Sequence, residues 1–333
     1  MKTEPFHNEF DVCALGEMII DCTPIGNSSK GSPMFEGNPG GAPCNVMACL
    51  ARLGSKVTYI GKVGNDDFGR FFNNVLLELN IDNSGVMFAD DLNTTLTFVN
   101  INPSGDRSFR FYRENTADVR ILEEEVDYSL IDRSLLFHFG SVSMTDPVTR
   151  KTTMAAVKYA SEQGKIISYD PNYRESIWKD KEEARTVISK GLSYADIVKI
   201  SSEELEFLMG NSMELEAAAD MLRKKYKIQI LLVTMGVDGA YGFTGQLTAQ
   251  CPAYHVHTID TNGAGDAFMG GFLYSILQLH KPLSQITQKE LEAYICFANA
   301  TGSLTTTGRG SIPAMPDLSQ VENCVTNEAF IKP

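Results

Sequence analysis

An α/β fold built on a mainly parallel sheet with helices on both faces is predicted by three features of the sequence. Short apolar runs recur along the chain, segments of helical period separate them, and one region breaks that rhythm with two-residue alternation. The apolar runs are Val12 to Leu15, Val57 to Ile60, Leu135 to Phe139, Ile166 to Tyr169, Ile197 to Ile200 and Ile230 to Thr234. Largely apolar and bounded by polar or turn residues, they read as strands buried on both faces. Helical spacing is found over Asn45 to Leu53, Phe68 to Leu79, Thr149 to Gln163, Lys181 to Leu192, Glu203 to Met209 and Met213 to Lys225. Strand and helix in alternation give crossover units on a parallel sheet. Ligands of such sheets gather beyond the carboxyl ends of the strands.

The departure lies at Thr94 to Asn102 and Arg107 to Arg113, which flank the turn Pro103-Ser104-Gly105-Asp106 and read as an antiparallel hairpin. With the polar, turn-rich residues 22–36 it is expected to form a small β-sheet outside the main layer. Segments 22–36 and 93–114 would then be a lid inserted in one domain of residues 1–333, or an oligomer contact. No break in composition, internal repeat or low-complexity tract divides the chain.

Composition narrows the function. Of the 333 residues 43% are hydrophobic and 21% charged, as in ordinary globular proteins. The net charge of −13 speaks against nucleic-acid and anionic-membrane partners, which require basic patches. Seven cysteines, an odd number without C-x-x-C spacing, predict reduced thiols in the cytoplasm. The N-terminus has no apolar core or small-residue cleavage site, and no run of about 18 apolar residues occurs. A cytoplasmic protein is expected.

The most informative stretch is Asp260-Thr261-Asn262-Gly263-Ala264-Gly265-Asp266-Ala267-Phe268. Upstream, Tyr254, Val256, Thr258 and Ile259 suggest a strand; downstream, Phe268, Phe272, Leu273, Ile276 and Leu277 recur at helical spacing. A glycine turn opening a helix brings unpaired N–H groups to an anion without a Cβ in the way. Asp266, at the start of that helix, is suited to take a proton from a hydroxyl. A helix cap would use the same residue types. The run matches neither a P-loop nor a dinucleotide G-x-G-x-x-G, so phosphate chemistry here needs another architecture.

A second glycine turn, Gly37-Asn38-Pro39-Gly40-Gly41, enters a small-residue helix that ends at Gly54, a suitable C′ position. Gly40 and Gly41 would admit a ligand to the backbone, and Asn45 can pair with hydroxyls in both directions. Asp21 in Gly16-Glu17-Met18-Ile19-Ile20-Asp21 lies near a strand's carboxyl end, where it can accept from a polyol or simply be a loop acid. Asp170-Pro171-Asn172-Tyr173-Arg174 has the same two readings. Val233-Thr234-Met235-Gly236-Val237-Asp238-Gly239-Ala240 ends a strand in small residues where a nucleotide could lie, or a β-turn. Glu203 and Glu204 begin a helix and complement its dipole. His138 sits inside an apolar strand, as packed histidines do, and no His/Cys cluster has zinc spacing.

Taken together, these stretches resemble the ribokinase-like (PfkB) carbohydrate kinases over essentially the whole chain. Gly40-Gly41, Asn45 and Leu50-Ala51-Arg52-Leu53-Gly54 are similar to the family's N-terminal signature, and Asp260 to Asp266 to its C-terminal one. The resemblance implies a ribokinase-like three-layer sandwich with a β-sheet lid. It also implies that Asp266 is the catalytic base, that Gly263, Ala264 and Gly265 form the anion hole, and that Asp21, Gly40, Gly41 and Asn45 contact sugar. Thr234, Gly236, Gly239 and Asn299 fall at nucleotide positions. Asp260, the Asn262 carbonyl and the loop Gly310-Ser311-Ile312-Pro313-Ala314 resemble a K⁺ site. Of the family's Asn-x-x-Glu, which positions Mg²⁺ and phosphates, Glu204 is present but Ser201 replaces the Asn.

Within the family, Gly16 to Asp21, Phe111-Tyr112-Arg113 with Ala117-Asp118, Phe137 to Ser141, Asp170 to Arg174 with Trp178, and Ile312 to Pro316 point to fructokinases. The implied reaction is ATP-dependent transfer to a ketohexose, D-fructose to fructose 6-phosphate. A 2-keto-3-deoxygluconate kinase shares part of this set, with Arg113 or Arg174 as the candidate fork for a carboxylate. A nucleoside kinase and a non-catalytic sugar-binding regulator are the other readings. Family members commonly dimerise through the hairpin, so a homodimer is a further expectation.

Overall fold

Val12, Cys13, Ala14 and Leu15 are inaccessible to solvent, because the strand that carries them is flanked by strands on both sides and by helices above and below. The computed structural model describes residues 8–101, 107–210, 212–245 and 247–327. Its strands are β1 (Phe10–Leu15), β2 (Ile19–Asn27), β3 (Pro33–Gly40), β4 (Val57–Gly64), β5 (Asp82–Ala89), β6 (Thr95–Ile101), β7 (Arg107–Tyr112), β8 (Ser134–Gly140), β9 (Ile166–Asp170), β10 (Ile197–Ser201), β11 (Ile230–Thr234), β12 (Ala240–Thr244) and β13 (Leu247–Cys251). The α-helices are α1 (Ala42–Arg52), α2 (Asp67–Glu78), α3 (Tyr128–Asp132), α4 (Pro147–Glu162), α5 (Lys181–Leu192), α6 (Ser202–Met209), α7 (Leu215–Tyr226), α8 (Ala264–Leu277), α9 (Gln288–Thr305) and α10 (Leu318–Asn327).

Nine strands form the main sheet in the order β13-β12-β11-β10-β9-β8-β1-β4-β5. All its pairings are parallel except β11 with β12 and β12 with β13. Two apolar cores lie on its faces. One packs Met47, Phe72, Phe272 and Ile295 of α1, α2, α8 and α9, and the other Ala156, Ile188, Leu205 and Leu222 of α4, α5, α6 and α7. The helices start where side chains replace missing backbone partners: Asp66, Asp146, Asp180 and Ser201 each accept from an N–H of the first turn. Gly54, at φ 96°, closes α1.

The expected second sheet is present, with the order β3-β2-β6-β7. Strand β2 pairs antiparallel with β3 and parallel with β6, and β6 pairs antiparallel with β7. Its strands begin before and end after the predicted 22–36 segment, and the predicted turn at residues 103–106 lies outside the described residues.

Three differences from the sequence reading have physical causes. Tyr254 to Ile259 is not a strand: its end is tied instead to the α9 terminus, with the N–H groups of Ile259 and Asp260 both donating to Thr306 O at 2.7 and 3.1 Å. Strands β5, β12 and β13 are more polar than the central runs because they lie at or near the sheet's edges. Finally, the seven cysteines are not all thiols, since Cys251 and Cys296 form a disulfide. Packing of α9 under β13 brings their Cα atoms within 5.4 Å across 45 residues, a proximity no local spacing reveals.

Candidate active site

The strand order reverses at β1, whose neighbours β4 and β8 lead away in opposite directions along the chain. Such a reversal opens a crevice at the carboxyl ends of the strands. Glu17 follows β1 there, while Asp170, Ser201 and Thr234 end β9, β10 and β11. The N-termini of α1 and α8 enter the same crevice.

Gly263 caps α8 with φ 77°, and a Cβ at that position would meet Ser311 Cβ at 2.6 Å. Ala264, Gly265 and Asp266 form the first helical turn, whose leading N–H groups have no acceptor within the helix. Asp266 is buried and held on both oxygens: Asn45 Nδ2 donates to Oδ2 at 2.7 Å and Asn172 Nδ2 to Oδ1 at 3.1 Å. Asn172 reaches it from a left-handed backbone, φ 49°. Burial, aided by the charge of Asp170, raises the Asp266 carboxyl to about 6; Lys199 and Asn45 act against that rise. A carboxylate so tuned is ionised near neutrality yet basic enough to take a proton.

Lys199 projects from β10 beside this turn, and a Cβ on Gly265 would lie 3.1 Å from its Nζ. It forms a buried ion pair with Asp170 at 2.8 Å. Burial works to discharge the ammonium, but Asp170, Glu204 and Asp266 outweigh it and raise the Lys199 pKa. Lys199, Gly263, Gly265 and Asp266 line a cleft of about 770 Å³. An adjoining cleft of about 320 Å³ is lined by Thr234, Gly236, Gly239 and Asn299, and it shares Thr234, Thr261 and Gly265 with the larger one. Asn299 also fastens the end of β13, donating to Cys251 O at 2.7 Å.

On the other side of Asp266 lies a pocket of about 50 Å³, lined by Glu17, Asp21, Gly41, Asn45, Arg174 and Asp266, with Phe109 and Phe111 of β7 against it. Gly40 and Gly41 are required by their neighbours: a Cβ would fall 2.7 Å from Asp21 Oδ2 in the first case and 2.2 Å from the Glu17 carbonyl in the second, where φ is also 118°. Burial raises Asp21 to about 7, against a hydrogen bond from Asn262 Nδ2 at 3.3 Å. Arg174 lines the pocket with its guanidinium 5.9 Å over the Phe109 ring.

Arg113 is placed elsewhere. Its Nε donates to Asp118 at 2.6 Å, Nη1 to Thr145 Oγ1 and Val142 O, and Nη2 to Val142 O, so the fork expected for a substrate carboxylate is occupied by the protein. The residue that stands in the pocket wall is Glu17, which the sequence patterns do not single out. Lys199 is likewise absent from them. Each leaves a signal, a lone charge inside an apolar run, Met18-Ile19-Ile20 after Glu17 and Ile197 to Ile200 around Lys199.

The metal expectations meet different donor sets. Both oxygens of Glu204 accept backbone N–H groups, from Tyr173 at 2.6 Å and Ser201 at 2.8 Å, so the carboxylate shapes the cleft rather than offering itself as a direct ligand. No group of three acidic, His or Cys side chains among the described residues is arranged to hold a metal ion. Buried Asp260 accepts from Asn262 N at 2.7 Å and Gly310 N at 3.2 Å, and the hydroxyl of Ser311, next in the chain to Gly310, is buried with no partner among the described residues. Ala314 N donates to Ser311 O in the same loop. These hard oxygen donors suit a monovalent cation. His138, pushed down to about 3 by burial with Lys199 adding to it, is a neutral packed residue beside Ser168.

Among described residues no helix is long and apolar enough to cross a membrane. The profile of the pfkB family carbohydrate kinases matches residues 9–318. The chain is 42% identical to Fructokinase-1 of Oryza sativa subsp. japonica over 308 residues, 92% of this chain and 94% of that one. It is 40% identical to Fructokinase-1 of Zea mays over 313 residues, covering 93% and 96%. Two solved structures share the fold: a fructokinase from Xylella fastidiosa with bound ATP (TM-score 0.88, 32% identity, 96% of this chain and 98% of that one) and one from Vibrio cholerae O395 in fructose, ADP and calcium ion bound form (TM-score 0.84, 29% identity, 95% and 99%).

Proposed function

The chain belongs to the pfkB family of carbohydrate kinases and has their ribokinase-like fold, and on that premise we propose that it is a fructokinase, transferring the γ-phosphate of ATP to the 6-hydroxyl of D-fructose. One observation carries the mechanism: Asp266 stands between the 50 Å³ pocket and the cleft over Gly263 to Gly265, and lines both. A sugar hydroxyl beside Asp266 gives up its proton to the carboxylate as its oxygen bonds to phosphorus and the bond to the ADP oxygen breaks. The first N–H groups of α8 meet charge on the transferred group. Lys199 adds a buried cation at the same turn. Mg²⁺ bound with the nucleotide would supply further neutralisation of phosphate charge; Glu204 fastens the loop after β9 to the end of β10 by accepting from Tyr173 N and Ser201 N. Asp260, the Asn262 carbonyl, Gly310 and Ala314 would hold K⁺ and so stiffen the turn.

The second sheet acts as the lid, since Phe109 and Phe111 already lie against the pocket. Water excluded there is water that does not hydrolyse ATP. Replacement of Phe109 by Ala is expected to raise ATP consumed per sugar phosphorylated; an unchanged ratio would remove the lid. The sheet also exposes Ile25, Phe35 and Tyr112, which supports a homodimer through this face, tested by sedimentation of a Phe35→Glu variant.

Arg174 is the single feature favouring a sugar acid such as 2-keto-3-deoxygluconate, but Glu17 and Asp21 in the same wall oppose a carboxylate. A coupled ADP-release assay across fructose, ribose, tagatose, 2-keto-3-deoxygluconate and nucleosides decides. Highest kcat/KM for fructose is expected; turnover of none would leave a sugar-binding regulator.

A further inference from the structure

Glu17 is buried, with 1% of its surface accessible, and its two oxygens are treated differently. Oε1 accepts the Ala42 N–H at 2.8 Å and so anchors the first turn of α1. Oε2 is buried and has no partner among the described residues. Capping α1 explains the first oxygen and leaves the second unexplained, because an amide would cap as well. A buried acceptor left unpaired costs free energy comparable to a lost hydrogen bond, and native proteins rarely leave one without a reason. Glu17 is also one of the residues that line the small pocket beside Asp266.

Position supports this. Ala42 and Asn45 are three apart on α1 and share a face, about 4.5 Å along the axis. Asn45 grips Asp266, so Glu17 and the proposed base are tied to points on α1 roughly one helical turn apart. That separation suits a second hydroxyl of the same sugar. Asn45 Oδ1 is a second buried acceptor with no partner among the described residues.

We propose that Glu17 is a specificity-determining residue whose Oε2 accepts a hydrogen bond from a non-reacting hydroxyl of the sugar. The inference rests on the sugar-kinase reading and deepens it: the pocket selects a neutral polyol by demanding a hydroxyl at one position. A site built around a buried acceptor rejects an analogue that lacks the donor far more strongly than it rejects a change of size.

Glu17→Gln tests it, because the amide oxygen keeps the Ala42 cap while Oε2 becomes a donor. The expected result is a fructose KM raised roughly ten- to a hundredfold, with the ATP KM unchanged and a thermal midpoint no lower than wild type. A panel of fructose analogues, each lacking one hydroxyl, supplies the readout that a purely structural role would not move. Wild type should discriminate sharply against one non-reacting position, and Glu17→Gln should lose that one discrimination. Unchanged fructose KM in the variant, or equal penalties at every position in wild type, overturns the inference while leaving the kinase reading intact. The wild-type analogue series stands even if the variant fails to fold. A wild-type protein that phosphorylates no sugar overturns both.

Discussion

Asn45 Nδ2 donates to Asp266 Oδ2 at 2.7 Å, a side-chain bond between residues 221 positions apart. It joins the start of α1, which lines the pocket proposed for the sugar, to the start of α8, where phosphate chemistry would occur. A donor aimed at a carboxylate stabilises its charged form and lowers its pKa. Burial already raises Asp266 to about 6, so losing Asn45 raises it further. Because the base must be ionised, turnover falls as pH drops through that value. The Asn45→Ala variant should therefore move the acid limb of the kcat profile upward, with a larger loss at pH 6 than at pH 8. A limb that stays in place would separate Asn45 from the base.

The base itself is tested by Asp266→Asn. The amide keeps the side chain's size but has no carboxylate to receive a proton. Positioned base catalysis contributes roughly 10²–10⁴-fold, and kcat should fall by that much in a coupled assay. Fructose affinity, measured calorimetrically, should change modestly. Near-normal turnover would end the assignment.

Lys199 balances three buried acids, Asp170, Glu204 and Asp266. Methionine has a similar length and no charge. In Lys199→Met, Asp170 loses its 2.8 Å partner, Asp266 loses an opposing charge, and the phosphoryl cleft loses a cation. Breaking a buried pair on one side typically costs about 3–5 kcal/mol, so a lower melting temperature is expected together with a drop in kcat. The catalytic part is distinguished by the pH profile, whose acid limb should rise. A variant that is merely less stable, with an unshifted limb, would make Lys199 a scaffold residue only.

What the sequence disclosed follows the range of the interactions involved. The central strands are legible because β1, β8, β9, β10 and β11 are buried on both faces, and burial writes continuous apolar runs. Gly263 and Asp266 are legible because the turn, the cap and the acid are neighbours in the chain. The edge strand β13 and its neighbour β12 are not, since they are short, mixed in polarity and packed against α9 from a distant part of the chain. The disulfide and the Asn45 to Asp266 bond depend on packing between remote segments. Arg113 shows the opposite error. A guanidinium near a pocket motif suggests a substrate fork, yet Asp118, only five residues away, takes its Nε.

The same buried acids predict how stability depends on pH. Asp21 is raised by burial to about 7, against about 4 for an ordinary aspartate. A group whose folded pKa lies above its unfolded value favours folding while it is protonated in both states, below about pH 4. That contribution is lost as pH rises through 7, where the folded protein must hold a charge that the unfolded chain would hydrate. An asparagine in its place would carry no such charge, and its amide oxygen could still accept from Asn262. The Asp21→Asn variant should therefore melt a few degrees above wild type at pH 8, with the gain shrinking toward pH 5, while kcat/KM for fructose falls. Thermal melts at the two pH values check the sign. A variant that melts lower at pH 8 would mean that Asp21 is compensated by its surroundings and is not a carboxylate kept charged for the sugar at a cost to the fold.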